Sequence, residues 1–144
     1  MKKNLKLIIF DISGTLIDHG SLVTVNSFIK TFKKFKININ PELIIKDMGI
    51  NKNAHINKIF REKDVISQLK KLKLKKKLIY KKICNNFNKV IFDEVKKKFD
   101  YIDGFDETIA FLRKNNILIA LTTGYSRNIL DYILNKFEKK KILS

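Results

Sequence analysis

Two short apolar runs, each closing in a loop of small and hydroxyl residues, constrain this chain more than any other feature. "LKLIIF" runs into "DISGT" at residues 11–15, and "ILIAL" at 117–121 runs into "TTGYS" at 122–126. Apolar runs this short, without alternation and stopped by a turn, read as buried parallel strands followed by loops. Parallel strands need a crossover, and the intervening residues carry helical periodicity. Val25, Phe28, Ile29, Phe32 and Phe35 recur at three- and four-residue intervals. Asn40 before Pro41 reads as an N-cap followed by an N1 proline. Leu78 to Phe99 continues as an amphipathic run; Asp103 is expected to cap "DGFDETIAFLRKNN" and Ser126 to cap "SRNILDYILNKF". The layout is strand, long helical insert, helix, strand, helix, with no internal repeat. Both hydroxyl-rich loops then lie at the carboxyl ends of strands, where open parallel sheets hold ligands.

Composition limits the alternatives. A chain of 144 residues with 44% hydrophobic content is about one domain and can bury a core. Its apolar runs fall short of the roughly 20 residues that span a bilayer, so no membrane segment is expected. Cys84 is the single cysteine and cannot close an internal disulfide. No N-terminal stretch has signal-peptide order, and a cytoplasmic location is the expectation. The net charge of +17 raises the possibility of a non-catalytic, basic, nucleic-acid-binding fragment. Only three of the 31 basic residues are arginines, and no basic motif is interleaved with aromatics, which disfavours that reading. "LKKLKLKKKLIYKK" is instead expected to be the solvated face of a helix, with Leu69, Leu72 and Leu78 turned inward.

A carboxylate at a strand end, such as Asp11, can attack phosphorus, bind a hard cation, or simply stabilise a turn. Thr123 with Gly124 offers a hydroxyl and an approachable backbone amide at a helix start, a ready anion site. Taken alone, neither loop decides between these roles.

Together these residues resemble the haloacid dehalogenase superfamily, whose first motif is an Asp nucleophile in "DxDGT" and whose second is a Ser or Thr after the next strand. Within it, "DISGTLIDHG" and "TTGYSR" look like the phosphonoacetaldehyde hydrolase family, in which a small residue replaces the second carboxylate; here that residue is Ser13. "KDMGINKNAH" is similar to that family's cap segment and places its Met, Gly, Lys and His on Met48, Gly49, Lys52 and His55. The resemblance implies an incomplete Rossmann-like α/β core, residues 1–19 and 100–144, with an all-helical cap at 20–99 inserted. It implies cleavage of phosphonoacetaldehyde to acetaldehyde and phosphate. Asp11 would take the phosphoryl group, and Lys52 would form an imine with the aldehyde, its amine made less basic by burial against Met48 or by nearby positive charge. His55 would move protons. Thr123 and Gly124 would hold phosphate oxygens, with Ser13, Met48, Gly49 and Tyr125 lining the substrate cleft. Magnesium would sit on Asp11 and the Ser13 carbonyl, and the cap would support a homodimer. If Met48 to His55 is helical, Met48, Lys52 and His55 share one face. The family's later phosphate-binding basic residue and acidic metal-binding pair would follow Ser144, so a C-terminally truncated chain is expected. A phosphatase for small phosphate esters is the alternative within the superfamily, disfavoured by Ser13.

Overall fold

The structure, a computed structural model, describes residues 5–17 and 22–140. In chain order the elements are β1 (Leu7–Asp11), α1 (Leu22–Lys33), α2 (Pro41–Ile45), α3 (Lys52–Ile59), α4 (Lys63–Lys71), α5 (Lys76–Lys97), α6 (Phe105–Lys114), β2 (Leu118–Thr122) and α7 (Arg127–Lys139). The chain divides into two compact units. One joins β1 with everything from Phe99 onward, and the other is Leu22–Lys98. No helix among the described residues is long and apolar enough to cross a membrane.

In the α/β unit, β1 and β2 form a parallel pair in which Leu7 stands beside Leu118, Ile9 beside Ala120 and Asp11 beside Thr122. Side chains alternate between the two faces of a strand, so these six residues share one face. Leu7, Ile9 and Leu118 on that face are exposed. The unit's core is built by Ile12, Leu16 and Ile17 from the β1 loop, Phe105, Ile109 and Leu112 from α6, and Ile129, Ile133 and Phe137 from α7, all buried. Tyr101, bridged to Ile17, ties the β1 loop to α6 and α7: its ring lies 4.5 Å from Phe105 and 6.1 Å from Phe137.

The helical unit is organised by α1 against the 22-residue α5. The buried stripe of α1 is Val23, Thr24, Ser27, Phe28, Thr31 and Phe32, while Val25 and Ile29 are only half-buried. Three hydroxyl residues on the stripe explain why hydropathy alone draws it a little too far round the helix; Ser27 hides its hydroxyl by donating to the Val23 carbonyl at 2.7 Å. Phe28 packs 4.5 Å from Phe87, and Lys30 reaches the buried Glu94 at 2.7 Å. The amide of Gln68 spans the α1–α2 connection to α4, accepting from the Asn38 N–H at 2.7 Å and donating to the Asn38 carbonyl at 2.8 Å.

Several expected boundaries move. Asn40 does cap α2, accepting from the Glu42 N–H at 3.0 Å. The lysine-rich stretch is not one helix: α4 stops at Lys71, Lys73 turns left-handed at φ 54°, and α5 begins at Lys76. The Lys73 and Leu74 amides close that end onto the Lys70 and Leu69 carbonyls, the Schellman arrangement. The break re-phases the inward positions, leaving Leu69 buried, Leu72 half-buried and Leu78 52% exposed, with Ile79 inward in its place. The cap position of α6 is Gly104 at φ 76°, not Asp103. Ser126 is the N-cap of α7 by position, but its hydroxyl donates to Asn128 rather than to a helix amide.

Candidate functional site

Asp11 ends β1 with an exposed carboxylate. The loop that follows is fixed by its next residue: Ile12 is fully buried, and its carbonyl accepts from the Leu16 and Ile17 amides at 3.0 and 3.1 Å. Gly14, at φ 83°, sends its own N–H back to the Ile17 carbonyl. A left-handed turn of this kind costs glycine little, which is why that residue belongs here. Half-buried Ser13 bridges to Ile17. On the neighbouring strand, Thr123 Oγ1 accepts from the Tyr125 N–H at 3.1 Å, folding "TTGYS" into a tight turn before α7. Register therefore brings Asp11 and Ser13 together with Thr123, Gly124 and Tyr125 at adjacent strand ends.

Met48, Gly49, Lys52 and His55 all lie in the helical unit. Met48 is not on a helix with Lys52. It sits half-buried in the turn after α2, followed by Gly49 at φ 93°, and α3 begins only at Lys52. The shared face thus reduces to Lys52 and His55, one turn apart on α3. The residue that sets this start is Asn51, whose side chain accepts from the Asn53 and Ala54 amides at 3.0 and 3.3 Å. Sequence reasoning passed over it, although an Asn directly before a helical run is a recognised cap signal. His55 is fully buried, with its ring 4.5 Å from Phe28, Nε2 3.5 Å from the Leu43 carbonyl, and Nδ1 without a hydrogen-bond partner. Burial holds its pKa below the ordinary 6.5, and the Lys52 and Lys58 charges push the same way, against the Leu43 carbonyl and Asp47. Asp47 is paired with Lys58, which holds its carboxyl below the usual range.

Asp11 is a hard oxygen donor of the kind magnesium takes, but among the described residues no three His, Cys, Asp or Glu side chains gather into a metal-holding group.

The model of the haloacid dehalogenase-like hydrolase family matches residues 8–144. The chain belongs to the haloacid dehalogenase-like hydrolases. The chain is 30% identical over 142 residues to the phosphonoacetaldehyde hydrolase of Bacteroides fragilis, covering 96% of the chain and 53% of that relative. It is 28% identical over 136 residues to the phosphonoacetaldehyde hydrolase of Bacillus cereus strain AH187, covering 93% and 52%. Among solved structures it resembles a phosphonoacetaldehyde hydrolase-like protein from Oleispira antarctica, with a TM-score of 0.86 at 23% identity over 95% of the chain and 50% of that protein. A predicted phosphoglycolate phosphatase from Haemophilus somnus 129PT gives a TM-score of 0.77 at 17% identity, over 100% of the chain and 62% of that protein. The family hydrolase fold is therefore shared, as an incomplete α/β core, and the chain spans about half the length of the curated relatives it matches.

Proposed function

We propose that this chain carries part of a hydrolase that cleaves the carbon–phosphorus bond of phosphonoacetaldehyde in the cytoplasm. The observation that carries the reading is the strand-end cluster: Asp11 beside the Thr123–Gly124 turn, with Ser13 where a second carboxylate would protonate an oxygen leaving group. When carbon leaves phosphorus there is no leaving oxygen to protonate, and an electron sink is needed instead. The Lys52 amine would condense with the substrate aldehyde, releasing water and giving a protonated imine. Asp11 would attack phosphorus; the carbon–phosphorus bonding pair passes into the imine as an enamine, and the phosphoryl group stays on the Asp11 carboxylate. Protonation at carbon and hydrolysis of the imine give acetaldehyde, and water releases phosphate from Asp11. Thr123 and Gly124 would hold phosphate oxygens, and Tyr125, Met48 and Gly49 would contact the substrate. Lys52 stands at the first position of α3. His55, buried one turn further along α3, would move protons during imine formation. Magnesium, where bound, would be held by Asp11 and the Ser13 carbonyl and would neutralise phosphoryl charge.

Borohydride added with phosphonoacetaldehyde tests this, on the chain joined to the remaining half of a relative. Reduction should fix one adduct on the peptide containing Lys52 and lose it in Lys52→Arg. Even labelling across surface lysines, or turnover of simple phosphate monoesters without an adduct, would remove the imine mechanism.

A further inference from the structure

Between Asp64 and Asp93 the chain holds nine lysines and no acidic residue, so all 14 acidic side chains lie outside this stretch. The nine lysines are exposed, and none joins an ion pair among the described residues. Lys70 and Lys71 close α4, Lys76 and Lys77 open α5, and the left-handed turn at Lys73 joins the two ends. Along α5, Leu78, Lys81, Lys82, Asn85 and Lys89 recur at helical spacing, turned away from the buried Ile79, Ile83, Phe87 and Val90. All five are exposed, Leu78 by 52%. Lys77 and Lys81, one turn apart, repel each other, and an anionic partner would relieve that repulsion.

We propose that the outer face of α5, with the α4–α5 turn, is a docking surface for a membrane rich in anionic lipid headgroups. The lysine ammonium groups would rest on lipid phosphates and carboxylates, and Leu78 would enter the boundary between headgroups and acyl chains. The make-up of the patch favours lipid over nucleic acid. It has no arginine to grip phosphates or base edges with two parallel hydrogen bonds. Nor does it expose an aromatic ring on which a base could stack. Tyr80 has its ring 5.7 Å from Phe60 and its hydroxyl donating to the Asn53 carbonyl at 3.2 Å, and Phe87 is buried. Amid the lysines stands Leu78, which a phosphate backbone would leave in water but a bilayer takes up, while the long stems of Lys81 and Lys82 carry their charges to the headgroups. The attachment is peripheral, through one face of a helix whose other face is core, and it does not depend on the chemistry at Asp11.

Flotation of the full chain with vesicles through a density gradient tests this, since bound protein rises and any aggregate does not. With phosphatidylcholine vesicles containing about one-third phosphatidylserine, the chain should float at about 0.1 M salt and stay down at about 0.5 M, where the charges are screened. It should not float with phosphatidylcholine alone. Lys77→Gln, Lys81→Gln and Lys82→Gln together change only exposed side chains and should leave the circular dichroism unchanged. They should weaken vesicle binding roughly 100-fold, about fivefold for each charge removed. Lys33→Gln, Lys34→Gln and Lys114→Gln remove the same charge elsewhere and should cost far less. Leu78→Ser should weaken binding severalfold while leaving its salt dependence in place. No flotation, flotation with phosphatidylcholine alone, equal losses in the two triple variants, or indifference to Leu78→Ser would overturn the proposal. So would retention on duplex DNA, lost in the α5 triple variant, by a chain that leaves the vesicles alone, since the surface would then serve nucleic acid.

Discussion

The ring of His55 lies 4.5 Å from the ring of Phe28, and this places a titratable base inside the aromatic core of the helical unit. Its folded pKa is lowered below 6.5, chiefly by burial. Above pH 7 the imidazole is neutral both folded and unfolded, and contributes no pH dependence. As pH falls through 6.5 the unfolded chain takes up a proton that the folded chain refuses, so stability should decline, with a slope of at most about 1.4 kcal/mol per pH unit, until the folded pKa is reached. Urea titrations between pH 8 and 5 should show this decline, and His55→Phe should flatten it. Asp47, whose pKa is also lowered, loses its contribution only as pH falls below its ordinary 3.8, outside that window.

Lys73 holds a left-handed conformation at φ 54° in the position where helices favour glycine. Lys73→Gly should raise stability by about 1 kcal/mol in chemical denaturation, because the strain relieved exceeds the added freedom of the unfolded chain. A loss of stability would mean that the lysine side chain contributes a contact worth more than the strain.

Removing Lys30 strands the Glu94 carboxylate between α1 and α5. Since Lys30 itself is 54% exposed, the cost of Lys30→Met should be about 1–2 kcal/mol, short of a fully buried pair. Pairing this change with Glu94→Gln should recover part of it, measurable as a coupling energy in a double-mutant cycle.

Burial pushes the Cys84 thiol above its ordinary pKa, more than the neighbouring Tyr80 hydroxyl lowers it. Alkylation by iodoacetamide at pH 7.5 should therefore run slower on the folded chain than on the same chain in urea, since the thiolate is the reacting form.

Asp11 with one main-chain carbonyl offers magnesium too few protein oxygens for a dedicated octahedral site. Calorimetry on the chain alone should find affinity no tighter than about millimolar, and Asp11→Asn should abolish what there is. Micromolar binding that survives the substitution would place the ion elsewhere.

The strands, their parallel pairing and the loops at their ends were legible because both apolar runs are short and stopped by Gly14 and Gly124. The helix ends were harder. Three chain reversals, at Lys36, Lys73 and Asn116, use left-handed residues other than glycine, each closed by backbone hydrogen bonds that leave no mark in composition. That is why "LKKLKLKKKLIYKK" reads as one helix and folds as two. At the site, Lys52 and His55 keep their helical spacing, but Met48 does not, because Gly49 bends the chain before Asn51 starts α3. The burial of His55 depends on Phe28, 27 positions away in sequence, and no local pattern announces it.

The paired hydrogen bonds between Gln68 and Asn38 join residues 30 positions apart. Such a contact closes a loop whose entropic cost must be met before either bond forms, so it should appear late in folding, after α1 and α4 have formed. It also makes position 68 selective among near-isosteres. A glutamate there keeps the acceptor for the Asn38 N–H but loses the donor to its carbonyl, and a mutational scan should find Gln68→Glu less tolerated than the exposure of the site suggests.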